Sequence, residues 1–117
     1  MAMEKTLRMS LLFDFYGALL TERQQDVFQL YFGDDLSLGE IAEELRISRQ
    51  AVYDTLRRVG LILEEFEAKL GLVQKHQERQ RIYEELLTLL AQVRSRCGDL
   101  PELAAMEEQI QKARAAS

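Results

Sequence analysis

Apolar residues return at helical intervals along nearly the whole chain. Leu7, Leu11 and Phe15 recur every four residues with Leu12 and Tyr16 beside them, which predicts an amphipathic helix from Glu4 to Tyr16, closed by Gly17. Thr21, followed three residues later by Gln24 and preceded by Leu20, has the layout of a capping box with its hydrophobic staple, so a second helix opens there. It carries Val27, Phe28, Tyr31 and Phe32 and stops at Gly33-Asp34-Asp35, a C-cap and turn signal. Ser37 and Glu40 repeat the capping box and open a short third helix, with Ile41, Ala42 and Leu45 facing inward. Ser48 caps a fourth helix that has Val52, Leu56 and Val59 on one stripe. Only Arg46 and Ile47 separate the third helix from that cap, so the two helices cannot lie parallel and form an angled helix-turn-helix.

Past Gly60 the pattern becomes that of a long arm. Val59, Leu63, Phe66, Leu70 and Val73 step by four and three, a heptad seam. Gln77 and Gln80 hold the phase with polar residues, and the seam restarts as Ile82, Leu86, Leu89 and Val93. That shift of phase predicts a bend or a change of packing partner. The run Gly98-Asp99-Leu100-Pro101-Glu102 closes the arm and opens a last short helix, from Leu100 to about Arg114, with Asp99 as its N-cap. A domain made of residues 1–60 is too small to bury both seams of an arm made of residues 61–117. Leu63, Phe66, Leu70, Val73, Ile82, Leu86, Leu89 and Val93 are therefore expected to meet a partner helix, most simply from a second copy in a homodimer. The expected fold class is all-α: a helix-turn-helix domain with a long C-terminal helical arm.

Composition agrees with this pattern. The 117 residues are 47% apolar and 30% charged, with no Trp and a single Pro, a balance that favours helix and a packed core over disorder. Asp14 interrupts the apolar run Leu11-Leu12-Phe13, so the N-terminus does not read as a signal peptide. No apolar run approaches the roughly 20 residues that cross a bilayer, and a cytoplasmic location is the expectation. Cys97 is alone, which excludes an intramolecular disulfide and argues against a Cys-based metal site.

The stretch LSLGEIAEELRISRQAVYDTLRR, Leu36 to Arg58, carries the most chemistry. Ala42 is small where the two helix axes approach, Ile47 is apolar in the turn, and Val52 anchors the second helix. That helix offers Arg49, Gln50, Tyr53, Asp54 and Arg57 on one face, and Arg and Gln are the side chains that pair bidentately with guanine and adenine edges. Ser48 and the free N–H groups of the first turn are placed to hold a phosphate. The candidate partner or nucleic-acid contacts are thus Ser48, Arg49, Gln50, Tyr53, Arg57 and Arg58. Charge opposes strong DNA binding. The whole chain has 20 Asp+Glu against 15 Lys+Arg. Within residues 36–60, Glu40, Glu43, Glu44 and Asp54 balance Arg46, Arg49, Arg57 and Arg58. Non-specific DNA affinity comes mostly from neutralised phosphates, and such a module starts without it. Arg46 also stands where many such turns place Gly, so a left-handed backbone there costs about 1 kcal/mol.

The same stretch resembles the helix-turn-helix of sigma factor region four. The longer block from Leu11 to Asp54, FDFYG…LLTERQ…LYFGDDLSLGEIAEEL…SRQAVYD, is similar to the YlxM family of small bacterial proteins, and the resemblance covers roughly residues 4–90. It implies an all-helical fold, a homodimer and an association with the signal recognition particle, through its GTPase or its RNA, in a regulatory role without catalytic residues. Two functions follow as expectations: a non-enzymatic modulator of that targeting pathway, or a sequence-specific DNA-binding regulator using the same face.

Nothing else in the sequence points to chemistry. His76, the only histidine, sits among charged residues and reads as solvated, and Asp34-Asp35 reads as a turn without the further ligands of a Ca²⁺ loop. Glu64, Glu65 and Glu67 read as the wet face of the arm, and Lys75, Arg79 and Arg81 as an ordinary charged helix face. No Gly-rich phosphate loop, zincin spacing or nucleophile–base pair occurs, so neither an enzyme, a cofactor nor a metal is expected.

Overall fold

The chain folds into six α-helices in a computed structural model that describes residues 2–116. They are α1 (Ala2–Tyr16), α2 (Glu22–Phe28), α3 (Leu38–Leu45), α4 (Arg49–Leu70), α5 (Leu72–Cys97) and α6 (Pro101–Ala116). No strand occurs among the described residues. Two compact units are present, Met1–Val73 and Gln74–Ser117.

The start signals act as the sequence predicts. Gln24 N–H donates to the Thr21 hydroxyl while Thr21 N–H donates to the Gln24 side chain. Ser37 and Glu40 make the same reciprocal pair, and Ala51 N–H donates to the Ser48 hydroxyl. The Ser37 N–H holds the Glu40 carboxyl below the usual carboxylate range. The end of the second helix departs from the expected stop. After Phe28 the chain widens into a π turn, Gln29–Gly33, in which Asp34 N–H reaches back five residues to the Gln29 carbonyl at 2.9 Å. Asp35 then takes a left-handed backbone, φ 57°.

The first unit has two apolar clusters that share α2. Val27 joins Ile41, Ala42 and Val52, the helix-turn-helix cluster. Its neighbour Phe28 joins Met9, Leu12, Tyr16, Leu20, Val59, Leu63 and Val73, and stacks on Phe13 with ring centroids 4.2 Å apart. The α1–α4 seam is closed outside by a two-pronged ion pair, Arg8 Nη2 to Glu64 Oε2 at 2.8 Å and Arg8 Nε to Glu64 Oε1 at 3.0 Å. Arg8 in turn holds the Glu64 carboxyl below its usual range.

Here the structure corrects the long arm. The heptad seam does not continue straight, because Gly71 breaks the helix with φ 63°, a conformation only glycine adopts without strain. The broken end is pinned from α1. The buried Tyr16 hydroxyl donates to Glu67 Oε1 at 2.6 Å and accepts the Leu72 N–H at 3.0 Å, and Glu67 Oε1 also accepts the Val73 N–H at 3.0 Å. Leu63 and Val73 are fully buried within the same chain, and Phe66 packs against that core with its ring 5.8 Å from Tyr16. Leu63 and Val73 are therefore core residues and not dimer contacts, Phe66 is half-buried against the same core, and Leu70 stays exposed. The unit accordingly reaches Val73 rather than ending near Gly60. Glu64 and Glu67, expected on a wet face, are structural partners.

The second unit is an antiparallel helical hairpin. Arg94 Nη2 meets Glu107 Oε2 at 2.9 Å near the turn, and Gln80 Nε2 donates to the Arg114 carbonyl at 3.3 Å near the open end. Leu90 on α5 and Leu103 on α6 are its buried apolar residues among those described. Asp99 is not the N-cap. The Leu100 carbonyl accepts the first N–H groups of α6, with Pro101 in the first helical position, and the Asp99 carboxylate pairs with Arg94 Nε at 3.0 Å. His76 is half-buried rather than solvated.

Replacing Tyr16 with Phe keeps the buried ring but leaves the Leu72 N–H without its acceptor. A loss of about 1–3 kcal/mol in unfolding free energy is expected from urea titration. The pH profile of the same measurement has two limits. Burial, then the Glu67 hydrogen bond, raise the Tyr16 hydroxyl above its ordinary 10.0, so its contribution is full below that value and is lost as pH rises through the raised one. The lowered carboxyls of Glu40 and Glu64 contribute above their ordinary 4.5, and that contribution is lost as pH falls through the lowered values.

Candidate helix-turn-helix interface

Two features set the angle between α3 and α4. Leu45 ends α3 and Arg46 takes the left-handed conformation, φ 58° and ψ 46°. The Ile47 N–H reaches the Ala42 carbonyl at 3.0 Å and the Arg46 N–H the Glu43 carbonyl at 3.3 Å, the paired bonds of a Schellman ending. Ile47 folds onto the Ala42–Val52 cluster, and Ser48 at once caps α4. The turn is thus closed by an apolar contact on one side and a cap on the other, with a non-glycine residue bearing the left-handed strain.

The expected contact residues are all exposed, but the structure does not gather them into one reading surface. Ser48 directs its hydroxyl to its own helix. Arg49 turns toward α3, where a Cβ added to Gly39 would lie 2.9 Å from its Nη2, and it lines a shallow depression with Ser37, Glu40 and Glu43. Gln50 Nε2 donates to Asp54 Oδ1 at 2.9 Å, so an amide suited to adenine is held by a carboxylate on the same face. Tyr53 and Arg57 lie on the other flank, lining a cleft with α1 and the π turn. Arg58 is exposed outside that cleft.

The cleft has a volume of about 660 Å³. Its apolar lining includes Met9, Phe28, Phe32, Leu56 and Val59, with Tyr31 and Tyr53 beside them and Lys5 and Arg57 as cations. Sequence periodicity did not find this surface, because Lys5 and Tyr31 reach it only through tertiary packing. Among the described residues no group of three or more His, Cys, Asp or Glu is placed to hold a metal ion. Among the described residues no helix is long and apolar enough to cross a membrane.

Comparison with known proteins matches residues 3–101 to the UPF0122 family, described as "Putative helix-turn-helix protein, YlxM / p13 like". A UPF0122 protein of Bacillus mycoides (strain KBAB4) is 58% identical over 90 residues, 77% of this chain and 82% of that protein. UPF0122 proteins of Bacillus cereus strains AH187 and G9842 are 57% identical over the same lengths and shares.

Arg46 is a direct test of the turn. Arg46→Gly removes a left-handed strain of about 1–2 kcal/mol, offset by roughly 0.4–1 kcal/mol of added freedom in the unfolded chain. A net gain of up to about 1.6 kcal/mol is expected in urea unfolding. A loss of stability would mean that the Arg46 side chain contributes more than its backbone costs.

Proposed function

The chain belongs to the YlxM / p13-like family of helix-turn-helix proteins, and from that premise we propose that it is a non-enzymatic regulatory protein acting by binding, as a modulator of the signal recognition particle pathway. Its partner in this reading is the particle's GTPase or RNA, the association that the family resemblance implies. The contact residues are those that α4 exposes, Arg49 toward α3, Gln50 on the outward face and Tyr53 and Arg57 toward α1, in a cytoplasmic protein. The observation that carries a binding partner other than duplex DNA is the Gln50–Asp54 hydrogen bond. It occupies the amide that would read an adenine edge in the major groove, and Asp54 offers a carboxylate on the face that would enter that groove. The second reading, a DNA-binding transcriptional regulator, draws on the intact turn and on the exposed Arg49, Arg57 and Arg58.

The same proposal includes a homodimer through the hairpin. Ile82, Leu86, Leu89 and Val93 form a stripe on α5 between 41% and 55% exposed, distinct from the buried Leu90 that faces α6. A two-helix hairpin with so few buried side chains gains little from its own core, and a second copy laid on that stripe would extend it.

Tagged protein used for capture from lysate, with and without nuclease, separates the readings. Recovery of the particle's GTPase that survives nuclease, with binding that weakens little between 50 and 200 mM salt (roughly the range in which phosphate-dominated binding falls about 10³–10⁵-fold), supports the modulator. Recovery of specific DNA fragments, lost on DNase treatment and steeply salt-dependent, supports the regulator instead. For the dimer, Leu86→Lys with Leu89→Lys is expected to give a folded monomer in sedimentation equilibrium. An unchanged dimer would remove the stripe from the interface.

A further inference from the structure

We propose that the cleft between α1 and α4 is a docking groove for an amphipathic helix of a partner protein, one that brings apolar anchors flanked by carboxylates. The groove shares Tyr53 and Arg57 with the helix-turn-helix flank, and the proposal holds whichever pathway the protein serves.

Three independent observations converge there. The first is Gly60, which lines the groove from the interior of the 22-residue helix α4. Glycine in a helix interior costs about 1 kcal/mol relative to alanine. Neighbouring atoms do not demand it, because a Cβ at this position would meet only Met9 Sδ, at an ordinary 3.7 Å. What the missing side chain leaves is an open groove wall. The second is the π turn, a rare conformation that recurs at functional sites. It carries Tyr31 and Phe32 into the lining, Phe32 resting on Phe28 with centroids 4.6 Å apart and Tyr31 remaining 37% exposed. Tyr53 and Leu61 add large side chains at 51% and 63% exposure. The third is charge. In a chain with five more acids than bases, the groove is flanked by Lys5 and Arg57, neither of which has an ion-pair partner among the described residues. The one carboxylate in the lining, Glu64, is already neutralised by Arg8.

The chemistry of the occupant follows. The volume lies within the roughly 300–1,000 Å³ typical of binding clefts. A phosphate backbone gains nothing from a lining of Met9, Phe28, Leu56 and Val59, which favours a protein segment over nucleic acid. Both walls are helices whose backbone groups are bonded internally, so an extended segment would bury unpaired N–H and C=O groups. A helix arrives with those groups satisfied and lays one apolar face into the groove. The free cations select carboxylates at its edges.

The test uses the full chain, immobilised, against a phage-displayed library of 20-residue helix-biased peptides, with the enriched peptides then synthesised and titrated by fluorescence anisotropy. Enriched sequences are expected to place apolar residues at i and i+3 or i+4 and to be net acidic. Gly60→Leu, which fills the groove, should weaken them at least tenfold. Lys5→Glu with Arg57→Glu, confined to exposed positions, should weaken them equally and favour a charge-reversed peptide. No enrichment above a blank surface, selection of neutral or basic peptides, or unchanged binding by both variants overturns the proposal. So does a concentration-dependent NMR shift at Tyr31 and Tyr53 in the protein alone, which would give the groove to a second copy, or displacement of the peptide by duplex DNA, which would give it to nucleic acid.

Discussion

One hydroxyl fixes how the amphipathic pattern of this chain is used. Tyr16 is buried at the end of α1, and its oxygen both donates to Glu67 and accepts from the Leu72 N–H across a glycine turn. Buried polar groups are costly unless satisfied, and here one side chain of α1 and one of α4 satisfy each other and the freed backbone of α5. The bond set makes the break at Gly71 a defined corner rather than a frayed end. Because the corner is defined, Leu63, Phe66 and Val73 turn toward α1 and join its core, instead of continuing a seam into solvent. Because α4 is held against α1 at this end, by Tyr16–Glu67 and by Arg8–Glu64, the same two helices form the walls of the cleft along which Lys5, Gly60 and Arg57 lie.

The helix-turn-helix is tied to that frame through α4, which gives Val52 to one cluster and Val59 and Leu63 to the other, and through two adjacent residues of α2. Val27 and Phe28 point to different clusters, one under the turn and one under α1, so α2 couples the position of the motif to the packing of the N-terminal helix. The turn itself accepts a strained residue at Arg46 because both of its sides are over-determined, by the Ile47–Ala42 contact and by the Ser48 cap.

Most local signals were legible in the sequence, the Asp99 cap and the π turn excepted, and long-range ones were not. Both capping boxes and the Ser48 cap were readable because each is decided within four residues, by side chains that satisfy the helix's own free N–H groups. The heptad seam after Gly60 was readable as apolar but not as to partner. Period fixes which face of a helix is buried, never whether the covering surface is in the same chain. What distinguished the two halves was Gly71, whose positive φ turns the chain, and a tyrosine 51 residues before the glutamate it binds. The π turn was hidden for a different reason, since a five-residue reach of the Asp34 N–H leaves no compositional mark. The contact residues of α4 were found individually, but their division into a flank near α3 and a flank near α1 depends on Gly39 and on the placement of α1, neither of which periodicity reveals.

That division bears on what a helix-turn-helix in an acidic protein can do. A DNA reader needs its second helix free on the outward face and surrounded by cations that replace released counterions. Here the outward face carries the Gln50–Asp54 pair, Arg49 shares its surroundings with Glu40 and Glu43, and the flank with unpaired cations also has the aromatic lining. Removing Asp54 would free the amide but would leave the acidic charge of the rest of the chain, so it would restore a base contact without the non-specific attraction that brings a reader to DNA. Covering the cleft requires no such change, because its apolar lining gains free energy by burial, and Lys5 and Arg57 at its edge favour an acidic segment. The fold therefore has the angle of a reader, while its largest apolar lining with unpaired cations lies one helix flank away, on the side that α1 and the π turn complete.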